Sequence, residues 1–325
     1  MHDVAVVGAS GYAGALCAYL VARHPSLELT ALTARSEAGR RHDELYPRYG
    51  IDLVMEAPDP DRVAERAEAA FVAYPHGAAA DAVKQLRERG LKVVDLSADF
   101  RLDQDSYEQW YRDHGAPELI DEAVYGLTEL HRDAIKEADL VAAPGCYPTA
   151  SLLALAPLRD VAVDAVVDAK SGVSGAGREP NQKTHFVSVT ENVNAYGVGG
   201  HRHQAELDSE LPGMRITFIP HLLPIDQGLL ASCYATTKKP LGADAVRELF
   251  EDAYAGEPFV ELADAPPGTA DVRETNRCRI HATADGATGR VMVFAAIDNL
   301  WKGAAGQAVQ DLNLMLGLPE TEGLT

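Results

Sequence analysis

The sequence predicts an α/β protein in which a doubly wound parallel sheet is followed by a second, α+β domain. Three observations carry that prediction. Short apolar runs alternate with helix-like segments through the first 147 residues or so. A glycine-rich loop joins the first apolar run to the first helical one. Beyond that half, the pattern changes to longer β-rich runs with few helices between them. Alternating βα units of this length pack as a parallel sheet with helices on both faces.

In order, residues 4–7 form the first apolar run, the glycine loop follows, and a helix extends to about Arg23, where His24-Pro25 stops it. Proline disfavours helical geometry in the residue before it. Residues 27–33, 70–74, 91–96 and 140–143 read as further strands, with a helix over 78–89. In the second half, residues 161–170, 214–221, 228–237 and 290–298 read as strands and 243–255 as a helix. A last helix over 303–316 ends at Gly317 and Pro319, a standard stop signal. Residues 1–147 are the predicted nucleotide-binding domain, with the C-terminal segment 303–325 packing back on it. Residues 148–302 are the predicted α+β domain.

The length of 325 residues suits about two domains. With 46% hydrophobic and 24% charged residues, the composition is that of a globular protein. No apolar run approaches the roughly 18 residues of a membrane span. The opening Met-His-Asp-Val lacks the basic and apolar regions of a signal peptide, so a cytoplasmic location is expected. A net charge of −20 repels phosphate backbones and anionic membranes, so neither nucleic acid nor membrane is an expected partner. An anionic substrate would need local Arg and Lys to overcome that field. The spacing of Cys17, Cys146, Cys233 and Cys278 fits neither a compact zinc site nor a small disulfide scaffold.

Gly8-x-x-Gly11-x-x-Gly14 stands between a strand and a helix, where glycines permit a tight turn and close approach of a pyrophosphate to the helix N-terminus. The usual fingerprint has glycine at its third position; here Ser10 stands there. Ser10, Tyr12 and Ala13 complete the candidate cradle of a Rossmann-type domain. The second strand runs into Arg35-Ser36 without the Asp or Glu that binds a ribose 2′-hydroxyl, and these residues suit a 2′-phosphate, which favours NADP over NAD. A glycine-rich turn with a solvent-facing arginine is the plainer alternative.

Cys146, in Pro144-Gly145-Cys146-Tyr147-Pro148, leaves a strand and lies at or just before a helix N-terminus. The helix dipole favours thiolate there, and strand C-terminal ends are where doubly wound folds place ligands. Such a thiolate can attack a carbonyl and hold a thioester for hydride reduction. Cys17 and Cys233 fall within apolar runs and read as core. Cys278 is uninformative.

Six blocks occur in one order along nearly the whole chain: GASGYAG, DLSADFRL (residues 95–102), the run around Cys146, SGVSGAGR (171–178), Gly200-His201-Arg202-His203, and IDNLWKGAAG (297–306). Together they resemble the semialdehyde dehydrogenase superfamily, in particular its N-acetyl-γ-glutamyl-phosphate reductase family. The resemblance implies a second domain of the semialdehyde dehydrogenase type and reduction by NADPH of an acyl phosphate, through a thioester on Cys146, to a semialdehyde and phosphate. It also implies His203, with His201 nearby, as acid and base, a role suited to a side chain that titrates near neutrality. It places Ser174 and Gly175 on the nicotinamide side and Asn299 at the carboxamide. Arg101 becomes a phosphate-side arginine. Arg178, Arg202 and Lys183 are further cations for substrate carboxylate or phosphate, Glu206 could orient His203 or bind the acetamido N–H, and Tyr196 lines the same pocket. Homodimers or homotetramers are expected on the same ground.

Three other readings compete. Two histidines flanking an arginine also fit a metal fragment or a solvated turn, but no third ligand cluster accompanies them, and no metal is expected. Tyr234-x-x-x-Lys238 has the spacing of a short-chain dehydrogenase, yet falls in a strand-like run, where the two side chains do not share a helical face. A non-catalytic NADP-binding sensor would keep the glycine loop and leave Cys146 idle. Within the superfamily, an aminoadipyl phosphate of lysine synthesis is the nearest alternative substrate. The run Lys183-Thr184-His185-Phe186 looks more like the arginine branch.

Overall fold

Six parallel strands make the first sheet: β1 (His2–Val7), β2 (Leu27–Thr33), β3 (Ala69–Val72), β4 (Lys92–Asp95), β5 (Val124–Tyr125) and β6 (Leu140–Ala142). They are seen in a computed structural model that describes residues 1–325. Their spatial order is β2-β1-β3-β4-β6-β5. The chain thus runs from β1 to one side and returns on the other, and the connections diverge above β1 and β3. Val7 pairs with Thr33 on one side and with Val72 on the other, so the loops after β1, β2 and β3 emerge side by side. β3 and β6 are buried throughout, as expected of strands covered on both faces. On one face Val72, Val93 and Leu140 meet Val83, Leu86 and Leu91.

The contacts divide the chain into two units, Met1–Pro144 with Ala304–Thr325, and Gly145–Gly303. The expected boundary at residue 147 lies three residues later, so Cys146 goes with the second unit rather than the first. Instead of one helix over 303–316, Trp301–Ala305 forms a π-turn and Gly306–Met315 an α-helix. The cause is local. The Asp298 carboxylate accepts the Leu300 and Trp301 N–H groups, and the Asp298 carbonyl accepts Gly303 N–H five residues on, at 2.9 Å.

In the first unit, the helix Gly306–Met315 is buried along its whole length against the helices Tyr12–Ala22 and Thr128–Glu137. That burial includes Gln307, Gln310, Asp311 and Asn313, so their polar groups must be satisfied internally. Asp311 Oδ1 accepts the Thr128 hydroxyl at 2.7 Å and Gln307 Nε2 at 2.9 Å, and Gln307 Nε2 also lies 2.9 Å from Thr128 Oγ1.

The second unit holds a mixed sheet of β7 (Ala162–Gly172), β8 (Asn194–Ala195), β9 (Arg215–Leu223), β10 (Leu229–Thr237), β11 (Val260–Leu262), β12 (Cys278–Ala284) and β13 (Val291–Ile297), in the order β11-β12-β13-β10-β7-β9-β8. Residues alternate as half-buried sheets require. Ala165, Val167, Ala169, Ala231, Cys233, Val293 and Ala295 are buried, and the helices Cys146–Leu155 and Ala243–Ala253 pack on the sheet. Val166, Asp168, Lys170, Leu230, Tyr234, Met292 and Phe294 are half-buried. Tyr234 and Lys238 do not share a helix, since β10 ends at Thr237. Sequence reading misses β5, β8 and β11, which are too short to show a period. It also misses β12, whose alternation Cys-Arg-Ile-His-Ala-Thr-Ala was there to be read.

Replacing Thr128 with Val leaves the buried Asp311 carboxylate one donor short. The expected cost is about 1–3 kcal/mol of stability, read as a lower midpoint in urea unfolding with an unchanged slope.

Candidate active site

Cys146 opens the helix Cys146–Leu155, with Gly145 as its N-cap in extended geometry and no side chain capping it. The thiol is half-buried at a helix start, where the unsatisfied N–H groups and the dipole favour the thiolate. The other three cysteines are fully buried, and burial pushes the Cys17 and Cys233 thiols upward, Cys233 to about 12. Only Cys146 is placed for chemistry.

The turn before the thiol is fixed by Glu206 on the helix His203–Glu210. Its carboxylate is 1% exposed, and Oε2 accepts Gly145 N–H at 3.0 Å. Oε1 lies 3.9 Å from His203 Nε2. A side chain on Gly145 would meet that same nitrogen at 2.5 Å, so the imidazole edge rests on the Gly145 backbone. From the opposite direction, a Cβ on Gly303 would come within 2.7 Å of the Cys146 Cβ. Two glycines thus let His203 and the π-turn close on the cysteine. Gly145 and Gly303 belong to the site and were not singled out from the sequence, although both lie inside quoted blocks.

The two histidines differ. His201 packs edge-on against Tyr147, Tyr196, Phe218 and His203, with ring centroids 4.8–6.0 Å apart. Burial, and then the Arg202 charge, lower its pKa to about 4. Its Nδ1 accepts the His203 backbone N–H at 3.2 Å, which assigns the proton of the neutral ring to Nε2. His201 is therefore a neutral donor, and His203 is the ring that faces the cysteine turn. Tyr147 donates its hydroxyl to the His221 carbonyl at 2.8 Å and stands 3.3 Å from the Tyr196 hydroxyl. Burial raises both phenols, Tyr196 to about 12, so both are neutral donors. Tyr147 and Phe218 pack against the His201 ring, and sequence reading missed both.

Around the end of β7, Ser174 donates its hydroxyl to the Asp226 carbonyl at 2.6 Å and accepts from Asn299 Nδ2 at 3.0 Å. Asn299 Oδ1 accepts Gly228 N–H at 2.7 Å, and the residue is 2% exposed. Asn299 thus braces the loop 171–177 from beneath, while Gly175 is exposed on it. Arg178 is half-buried beyond that loop; Arg202 is exposed beside His201. Lys183 is exposed and lines an open cavity of about 600 Å³ with Gln182, Asn192, Asn194 and Tyr196.

In the first unit, Arg101 is buried at the C-terminal edge of the sheet. Its Nε donates to the Ala143 carbonyl at 2.7 Å and Nη2 to the Leu96 carbonyl at 2.9 Å. Asp95 beneath it holds Ser97 through N–H and hydroxyl, and burial pushes its carboxyl to about 7. The glycine loop has the features a dinucleotide needs. Gly8 has φ +93°, and a Cβ on it would meet the Ala73 carbonyl oxygen at 2.7 Å. A Cβ on Gly14 would overlap the Gly8 carbonyl. Gly11 is the N-cap of the helix Tyr12–Ala22, whose first turn carries no acidic residue and no side-chain cap, leaving its N–H groups for an anion. Ser10, Tyr12 and Ala13 are half-buried on this loop, and Arg35 and Ser36 are exposed at the end of β2.

Comparison with known proteins gives matches over both parts of the chain. Residues 3–138 match the family model described as semialdehyde dehydrogenase, NAD binding domain, and residues 146–299 match semialdehyde dehydrogenase, dimerisation domain. Among curated relatives, N-acetyl-gamma-glutamyl-phosphate reductase of Moorella thermoacetica is 48% identical over 100% of this chain and 98% of its own. The protein of that name from Dehalococcoides mccartyi is 44% identical over 99% and 97%. Among solved structures, aspartate semialdehyde dehydrogenase II from Vibrio cholerae has a TM-score of 0.75 at 18% identity, covering 98% of each chain. The Candida albicans aspartate semialdehyde dehydrogenase with NADP gives 0.69 at 16%, covering 97% of this chain and 99% of its own. These last two show the shared fold.

Two outcomes follow from the geometry. Gly145→Ala, by pushing His203 off the turn, slows alkylation of Cys146 by iodoacetamide about tenfold or more while circular dichroism is unchanged. In a histidine NMR titration, the His201 ring stays neutral from pH 8 to below pH 5. Its lowered pKa also means that the unfolded chain takes up this proton first, so stability falls as pH drops from about 6.5 toward 4.

Proposed function

The chain belongs to the N-acetyl-γ-glutamyl-phosphate reductase family of the semialdehyde dehydrogenases, and on that premise we propose that it reduces N-acetyl-γ-glutamyl phosphate to N-acetylglutamate 5-semialdehyde and phosphate, with NADPH, in arginine biosynthesis. The observation that carries the proposal is the Cys146 thiol at a helix start, with Glu206 fixing its turn and His203 resting on it.

The nicotinamide cofactor, when bound, supplies the hydride; Gly8, Gly11, Gly14 and the backbone of Ser10, Tyr12 and Ala13 would hold its pyrophosphate, and Arg35 with Ser36 its 2′-phosphate. The Cys146 thiolate attacks the acyl carbon, the C–O bond to phosphate breaks, and inorganic phosphate leaves with the electron pair. The resulting thioester keeps the carbonyl over the helix N-terminus, whose N–H groups favour negative charge developing on oxygen. His203 donates the proton that the tetrahedral oxygen needs after reduction, and takes it back as the C–S bond breaks to release the aldehyde and regenerate thiolate. His201, neutral with its proton on Nε2, serves as a fixed donor and orients His203 through the His203 N–H. Glu206, held by Gly145 N–H, lies 3.9 Å from His203 Nε2 and helps to seat the imidazole. Arg101, Arg178 and Arg202 supply cations for the phosphate and carboxylate groups, which an overall charge of −20 otherwise repels. The half-buried face of the second sheet supports homo-oligomer formation, and a cytoplasmic place fits a pathway enzyme.

The test is phosphate-dependent reduction of NADP⁺ with N-acetylglutamate semialdehyde, the same chemistry run backward. Cys146→Ser lowers kcat by about 10³-fold or more, and His203→Gln by about 10²–10³-fold. His201→Gln costs about tenfold and leaves the acid limb of the pH profile in place, since its pKa of about 4 lies below that limb. Faster turnover of the acetylaminoadipate homologue would move the enzyme to the lysine branch. Tight NADP binding without turnover of either semialdehyde would overturn the reductase reading.

A further inference from the structure

Where the connections diverge above β1 and β3, one aromatic ring touches two functional loops. Tyr74 follows β3 and is buried, with its backbone fixed because Ala73 N–H donates to the Val7 carbonyl at 2.8 Å. Its Cδ1 lies against the glycine loop, 3.0 Å from where a Cβ on Gly8 would stand. On its face sits the Arg35 guanidinium, with Cζ 4.2 Å from the ring centroid. Arg35 is otherwise exposed, and a 3.4 Å contact from Nη2 to the Ala78 carbonyl is its second tether. The carboxylate next along the chain, Glu37, is ion-paired with Arg40 at 2.7 Å.

We propose that Tyr74 is a specificity-determining positioning residue: it holds Arg35 flat at a fixed reach from the glycine loop, and thereby sets the preference for the cofactor carrying a 2′-phosphate. This rests on the reading of the chain as an NADPH-dependent reductase. The physical basis is that a guanidinium engages a ring through its face, while its N–H donors lie in its own plane. Stacking on Tyr74 therefore removes the rotamer freedom of an exposed arginine and leaves the donor edge for phosphate. The glycine loop fixes the pyrophosphate end of the adenosine moiety, and the same ring fixes the cation that would read its other end. The Tyr74 hydroxyl is buried without a hydrogen-bond partner, so the ring alone does this.

The test is calorimetric binding of NADP⁺ and NAD⁺ to the full-length protein, which needs no turnover. Arg35→Leu weakens NADP⁺ about thirtyfold and leaves NAD⁺ within about twofold. Tyr74→Leu weakens NADP⁺ about tenfold with NAD⁺ again unchanged, and the double variant is no weaker than Arg35→Leu alone. Tyr74→Phe binds both as wild type does. Arg35→Lys, which keeps the charge and loses the plane, behaves like Tyr74→Leu. If Arg35→Leu abolishes the preference while Tyr74→Leu retains it, the proposal falls and the NADPH reading stands. If Arg35→Leu leaves the preference intact, or wild type shows none, the 2′-phosphate reading falls and the proposal with it. Should Tyr74→Leu not fold, Arg35→Lys decides, because full preference in that variant means that charge without stacking suffices.

Discussion

The hydrogen bond from Gly145 N–H to the Glu206 carboxylate is the contact on which the rest of the site depends. It ties the turn before the Cys146 helix to the helix that begins with His203, two segments about sixty residues apart in sequence. A carboxylate at 1% exposure is costly unless it is hydrogen-bonded. Here the bond satisfies one oxygen, and the other lies 3.9 Å from His203 Nε2. One interaction thus sets the position of the nucleophile's helix, the seat of the imidazole and the electrostatic environment of both. The glycines at 145 and 303 follow from it, because any side chain at either position would occupy the space into which His203 and the cysteine close.

A second constraint is charge. A chain with a net charge of −20 that takes anionic ligands must place its cations where other groups hold them. Arg101 is clamped by two carbonyls, and Arg35 is stacked on Tyr74 and tethered to Ala78. Each is anchored by backbone oxygen or an aromatic face. Most other arginines and lysines form surface ion pairs, such as Arg87 with Glu122 and Arg132 with Glu320, that neutralise them locally. Backbone carbonyls and an aromatic face thus hold some cations, and ion pairs hold others.

The buried polar stripe on Gly306–Met315 shows the same economy of partners. Sequence reading predicts only a helix over 303–316 that ends at Gly317 and Pro319. The structure encloses it on all sides, with Gln307 Nε2 and Asp311 Oδ1 hydrogen-bonded to Thr128 Oγ1. Burial of that kind is invisible in one dimension, since the residues that make it tolerable lie some 180 positions away.

By itself the sequence determined the fold class, the order of the βα units, the position of Cys146 at a helix start, and the glycine loop. All four are local, being encoded in hydrophobic period, in proline and glycine punctuation, and in contiguous motifs. The run of β2 over residues 27–33 is identical in sequence reading and structure for that reason. Tertiary structure alone decided what each candidate side chain faces. It seated Glu206 on Gly145, made Asn299 a brace, distinguished a neutral His201 from His203, and laid Arg35 on Tyr74. Those outcomes depend on distances between residues remote in the chain and on desolvation, which a sequence specifies only through the completed packing.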